Sequence, residues 1–158
     1  SMAFAKEKVE STGNDQIMLT ERGTTFGYND LVVDFRNIPK MKSLAATVLD
    51  CTHAVQQPNS SAGVTGGNPE MIETLAKAGI VTGVDGIFLE THPNPSIAKS
   101  DGANMLPLSE LENLLERLLI VKNCFIKKKN SSLDGLMSFP KTDSNHQTYG
   151  YWMTRSTS

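Results

Sequence analysis

A disulfide scaffold, a membrane span or a grip on a polyanion would each leave a mark on composition, and this chain carries none of those marks. Only two cysteines occur, Cys51 inside an apolar run and Cys124 near a basic segment. They make no disulfide framework and agree with a reducing compartment. No apolar run approaches the roughly 20 residues that cross a bilayer, and the N-terminus lacks the basic-then-apolar order of a signal peptide. The 15 basic and 17 acidic residues leave a formal net charge of −2, so nothing favours nucleic acid or an anionic membrane as a partner. Small phosphorylated ligands stay open, because they need only local donors. The GxGxxG pattern is absent. "GVTGGNPE" (63–70) is glycine-rich ahead of a helix start, so its amides could receive an anion, but it lacks the lysine of a phosphate loop. The expectation is a soluble, cytoplasmic protein. The leading "SM" (1–2) is set aside as a tag-cleavage scar.

What is present is one domain's worth of chain, 158 residues and 17.2 kDa, with a repeating order. Three short apolar runs, "QIMLTE" (16–21), "AATVLDCTHA" (45–54) and "GIFLETH" (86–92), read as strands covered on both faces. Helical spacing follows each. A weak helix over about 30–43 is interrupted by Pro39. "NPEMIETLAKAGIVTG" (68–83) has Asn68 as N-cap and Pro69 at the first helical position, and "LPLSELENLLERLLIVKN" (106–123) places Leu111, Leu114, Leu115, Leu118 and Leu119 on one stripe. Strand, loop and helix repeated three times is the alternation of an α/β fold with a parallel sheet. Residues 124–158 show no period and are rich in Ser, Thr, Asn and Lys, the composition of an irregular tail. Tyr149, Tyr151 and Trp152 could dock on the body at a place the pattern does not specify.

Each strand ends in a polar cluster, and in parallel α/β folds chemistry collects at those C-terminal ends. His53, Glu90 and Asp101 fall at consecutive loop ends. One imidazole and two carboxylates suit a divalent cation of the iron, manganese or zinc kind. Each also has a simpler account: a satisfied structural histidine, a solvated strand end, a turn former before Gly102. Arg22 could hold a phosphate or carboxylate through its two parallel N–H groups, or pair with Glu21 or Asp50. Gln56 and Gln57 could bond a sugar hydroxyl or do nothing in particular, and Gly23 and Gly27 could admit a ligand or simply turn the chain.

Three ordered stretches, "TERGTTFGYNDLVVD" (20–34), "LDCTHAVQQPNSSAGVTGG" (49–67) and "GIFLETHPNPSIAKSDGANMLPLSELE" (86–112), resemble successive loop motifs of the 3-deoxy-D-manno-octulosonate 8-phosphate synthases, also called 2-dehydro-3-deoxyphosphooctonate aldolases. The resemblance covers about Ala3 to Asn123. It implies a (β/α)8 TIM barrel, usually a homotetramer, that condenses phosphoenolpyruvate with arabinose 5-phosphate and water on the route to lipopolysaccharide. By that resemblance Arg22 binds phosphoenolpyruvate. His53, Glu90 and Asp101 are the catalytic residues and the protein's share of the metal site. Gln56 faces the substrates, and the Phe26-Gly27-Tyr28 loop shapes the pocket. Metal-dependent and metal-independent members differ at a first-strand position outside this chain. "SDGAN" looks closer to the metal-dependent branch, and Cys51 lies on the wrong strand to replace the cysteine of that position.

A full barrel has eight βα units and about 250 residues, so residues 3–123 are expected to be its last three units: a partial barrel with an unmatched tail over 124–158. Three strands alone cannot close, and the expectation is an exposed apolar inner face with open edges. A second copy or a separate N-terminal half could cover it. Two accounts follow. The chain is a portion of a synthase that acts only with the missing units, or it is a non-catalytic remnant serving as an interaction or ligand-binding module. The related 3-deoxy-D-arabino-heptulosonate 7-phosphate synthases share the chemistry, and "THAVQQP" argues for the octulosonate enzymes instead.

Overall fold

Strand and helix alternate as expected in the computed structural model, which describes residues 2–25, 30–61, 64–126, 136–138 and 149–153. In chain order the elements are α1 (Met2–Glu10), β1 (Met18–Glu21), β2 (Thr24–Thr25), β3 (Leu31–Val32), α2 (Asn37–Lys42), β4 (Ala46–Asp50), β5 (Gln56–Ser61), β6 (Val64–Gly67), α3 (Ile72–Thr82), β7 (Gly86–His92), β8 (Leu106–Pro107), α4 (Leu108–Ile126), β9 (Leu136–Ser138) and β10 (Tyr149–Met153). β1, β4 and β7 lie side by side and parallel, in chain order. Neighbours that follow the sequence in this way belong to a barrel wall; a doubly wound sheet would reverse its order at a switch point.

The helices follow from their sequences. Pro39 sits in the first turn of α2, where its missing N–H costs no helical bond, so the helix is short rather than broken. Ahead of α3, Pro69–Met71 forms a 3₁₀ turn with Asn68 at its N-cap position and Pro69 first, as expected, although the Asn68 side chain makes no cap bond. The helix ends at Gly83, whose φ of +87° lets its N–H reach back to the carbonyls of Gly79 and Ile80. In α4, Leu111, Leu114 and Leu118 are buried at helical spacing, with Leu115 and Leu119 against the same cluster, each fully buried side chain contributing roughly 1.5–3 kcal/mol.

Register decides what each sheet face carries. Leu19, Thr47, Leu49, Ile87, Leu89 and Thr91 are buried on the face covered by the helices. The opposite face presents Met18, Thr20, Ala46, Val48, Asp50, Phe88 and Glu90. It is not the apolar surface expected from the sequence: Val48 is buried, two members are acids, and Met18 is the one large apolar side chain of these seven that is strongly exposed.

The free edges are fewer than expected as well. β10 pairs antiparallel with β7 and carries β9 on its far side. The stretch Tyr149–Met153, rich in aromatic residues that favour strands, therefore adds to the sheet from within the segment read as irregular. No described helix is long and apolar enough to cross a membrane.

Candidate metal centre

The C-terminal tips of β4 and β7 lie beside each other because Asp50 is in register with Phe88. Two residues past Phe88 along the same face comes Glu90. After β4 the chain makes a tight turn into a 3₁₀ segment, His53–Val55. Asp50 builds that turn. Its Oδ1 accepts from the backbone N–H of Thr52 (3.1 Å), the Thr52 hydroxyl (3.1 Å) and the backbone N–H of His53 (2.9 Å). Its Oδ2 lies 2.6 Å from His53 Nδ1. The Thr52 hydroxyl also accepts from the Glu90 N–H at 3.2 Å, which ties one strand tip to the other.

His53 Nε2 then points across to Glu90, 3.2 Å from its Oε2, and the ring stacks on Phe88 with centroids 5.8 Å apart. Asp101 arrives from the loop after β7. Its φ of 54°, unusual for a residue with a side chain, marks a locally constrained backbone. The loop is tight there, since a side chain on Gly102 would meet the Pro95 carbonyl at 2.2 Å. One ligand atom each from His53, Glu90 and Asp101 lies within 4.8 Å of the others. Two ligands that each bind one cation at about 2.1 Å sit about 3 Å apart, close to the His53–Glu90 separation. The set of one imidazole and two carboxylates fits a borderline or hard divalent cation.

The hydrogen bond to Asp50, and secondly the one to Glu90, hold the His53 imidazolium well above its usual range, at about 10, against the opposing effect of burial. A cation taking Nε2 must displace a proton.

Arg22 follows β1 and pairs with neither Glu21 nor Asp50. Its guanidinium donates to Gln56 Oε1 at 3.1 Å, and Gln56 Nε2 donates to Asp101 Oδ1 at 2.7 Å. Glu21 instead accepts from the Gly23 N–H at 2.8 Å. Arg22, Gln56 and Asp101 thus form one relay beside the triad, and the exposed guanidinium has further N–H groups to offer. Gly66 and Gly67 pair with Gln57 and Gln56 in a β5–β6 hairpin, so these two glycines belong to a strand and form no anion loop. Cys51 is buried and desolvation pushes its thiol up, which makes it inert. Phe26, Gly27 and Tyr28 lie outside the described residues.

Sequence reasoning missed Asp50 and Thr52 as parts of the centre. Their signal was available: an acid at a strand end, two and three residues before a threonine and a histidine, is the spacing of a side chain that caps a tight turn. It also missed Asn104, which is buried with neither side-chain polar atom partnered among the described residues. Its backbone N–H bonds to the Asp101 carbonyl at 2.9 Å.

Residues 1–124 match the DAHP synthetase I family. The 2-dehydro-3-deoxyphosphooctonate aldolase of Rhizobium meliloti (strain 1021) is 51% identical over 113 residues, which are 71% of this chain and 40% of that protein. The protein of the same name from Koribacter versatilis (strain Ellin345) is 47% identical over 124 residues, 77% of this chain and 45% of that one. Among solved structures, the crystal structure of phospho-2-dehydro-3-deoxyheptonate aldolase (DAHP synthase) from Thermotoga maritima aligns with a TM-score of 0.64 at 26% identity, covering 77% of this chain and 34% of that one. The chain spans about two-fifths of the length of the curated relatives it matches.

Proposed function

The chain belongs to the DAHP synthetase I family, and from that premise we propose that it carries the cation-binding part of a 2-dehydro-3-deoxyphosphooctonate aldolase. The reaction is the condensation of phosphoenolpyruvate with D-arabinose 5-phosphate and water, giving 3-deoxy-D-manno-octulosonate 8-phosphate and inorganic phosphate for lipopolysaccharide synthesis. The observation that carries this reading is the convergence of His53, Glu90 and Asp101 from two strand tips and a loop. Identities of 47–52% to proteins of that name, against 26% to the heptonate aldolase of known structure, favour arabinose 5-phosphate over erythrose 4-phosphate as the aldehyde.

In this reading His53, Glu90 and Asp101 hold an iron, manganese or zinc ion. When bound, the cation supplies an electrophile that can orient the attacking water or polarise the aldehyde oxygen. Arg22 presents its remaining N–H groups to the carboxylate or phosphate of phosphoenolpyruvate. Gln56 fixes the distance between that anion site and Asp101, so that substrate and metal ligands are held in one frame. The lysines that grip phosphoenolpyruvate in the family, and much of the sugar-phosphate site, belong to barrel units outside this chain. The active species combines this chain with those units, supplied by an N-terminal half, and assembles as a homo-oligomer in the cytoplasm.

The test is coupled phosphate release from phosphoenolpyruvate and arabinose 5-phosphate, by the chain alone and with the N-terminal half of a relative. Turnover that depends on Arg22 and His53 supports the reading. A stable folded chain with no turnover in any combination would establish the competing account, a non-catalytic binding module.

A further inference from the structure

Asp50 touches no substrate in the proposed reaction, yet it is the most connected side chain of the centre. One oxygen is committed to three donors of the turn, and the other faces His53 Nδ1 at 2.6 Å. We infer that Asp50 is a positioning residue that fixes which ring nitrogen of His53 is offered to the cation, an inference that rests on the cation site proposed above. An ionised carboxylate can only accept hydrogen bonds. Whenever the ring holds a single proton, Asp50 therefore keeps it on Nδ1 and leaves the Nε2 lone pair facing Glu90. The same contact sets the ring plane against Phe88, and the Thr52 hydroxyl carries the alignment on to the Glu90 backbone. Carboxylates behind a ligating histidine typically contribute 10–100-fold in metal affinity.

The substitution Asp50→Asn separates this role from a structural one. The three donors to Oδ1 would hold the amide oxygen in its place and turn the amide N–H group toward Nδ1. Nδ1 must then accept, and the proton of the neutral ring moves to Nε2, the atom that should bind the cation. The turn keeps its bonds while the ligand is lost.

The experiment is titration of the full chain with Co2+, followed by its visible absorption, together with thermal unfolding by circular dichroism. The expected result is Co2+ binding by the unsubstituted chain and binding 10–100-fold weaker by Asp50→Asn, whose melting temperature stays close to the original. Equal affinity in the two proteins overturns the positioning role and leaves the cation site standing. Absence of Co2+ binding by the unsubstituted chain overturns the cation site, and this inference with it. If Asp50→Asn does not fold, the ring is read directly in the Zn2+-loaded unsubstituted chain by long-range 1H–15N correlation. A proton on Nδ1 with metal on Nε2 supports the assignment, and the reverse arrangement refutes it.

Discussion

Replacing Gly67 with alanine should disturb the centre from a distance, and the size of the effect can be worked from contacts. A Cβ at Gly67 would lie 1.7 Å from Asn104 Oδ1, 2.7 Å from Asn104 Cγ and 2.6 Å from the Ala103 carbonyl oxygen, where ordinary contact begins at 3.4 Å. Asn104 is 1% exposed, so its side chain has nowhere open to go, and the Ala103 carbonyl is backbone. Overpacking of this kind costs about 1–3 kcal/mol, and a clash against backbone belongs near the upper end. At roughly 2–4 °C per kcal/mol for a domain of this size, the melting temperature should fall by about 6–12 °C.

Because the Asn104 N–H is bonded to the Asp101 carbonyl, the displacement should also reach Asp101 and weaken Co2+ binding. Gly83→Ala is the comparison. That residue has φ +87° but nothing within 4 Å of where a Cβ would sit, so it should cost only the left-handed backbone penalty of about 1 kcal/mol. Shortening the obstacle should help: Gly67→Ala combined with Asn104→Ala should melt higher than Gly67→Ala alone, a positive coupling between the two sites. Thermal unfolding of the unsubstituted protein, Gly67→Ala, Asn104→Ala, the double substitution and Gly83→Ala decides it. Equal losses for Gly67→Ala and Gly83→Ala, or no recovery in the double substitution, would refute the packing argument.

Leu118→Ala removes a side chain buried completely between α4 and the sheet and should destabilise by about 2–5 kcal/mol in urea unfolding. In chelator-treated protein, His53 binds its proton more tightly folded (pKa about 10) than unfolded (ordinary value 6.5). Its contribution is therefore fully present below about pH 6.5 and is lost as pH rises through 10, so stability between pH 8 and 10.5 should fall more steeply than in His53→Gln. Arg22→Lys removes the planar fork while keeping the charge. Phosphoenolpyruvate binding, measured by calorimetry on the chain with its N-terminal half, should weaken about tenfold, by roughly 1.4 kcal/mol.

Much of this architecture could be read from the residues, for identifiable reasons. The strands at Met18–Glu21, Ala46–Asp50 and Gly86–His92 fall inside the three apolar runs because burial under helices leaves a strong signal. Glu90 stood out because an acid ends such a run, and the structure brings it to His53 and Asp101 as the resemblance implied. The β5–β6 hairpin was not legible: Gln56–Ser61 has no apolar alternation, and its pairing is set by backbone bonds and by Gly67, which fits against Asn104. The helix α1 was missed because it buries no side chain; a surface ion pair between Lys6 and Glu10 supports it locally. Asp50 was weighed only as a partner for Arg22. Its role depends on which oxygen faces the turn and which faces His53, a choice made by three-dimensional crowding at the strand tip.

The claim beneath all of this is that His53, Glu90 and Asp101 share one cation. Crystals of the chain grown with Mn2+ and measured near its absorption edge test it most directly. The account predicts an anomalous peak about 2.0–2.2 Å from His53 Nε2 and from one carboxylate oxygen each of Glu90 and Asp101. Strong peaks elsewhere with none between those three side chains would contradict it.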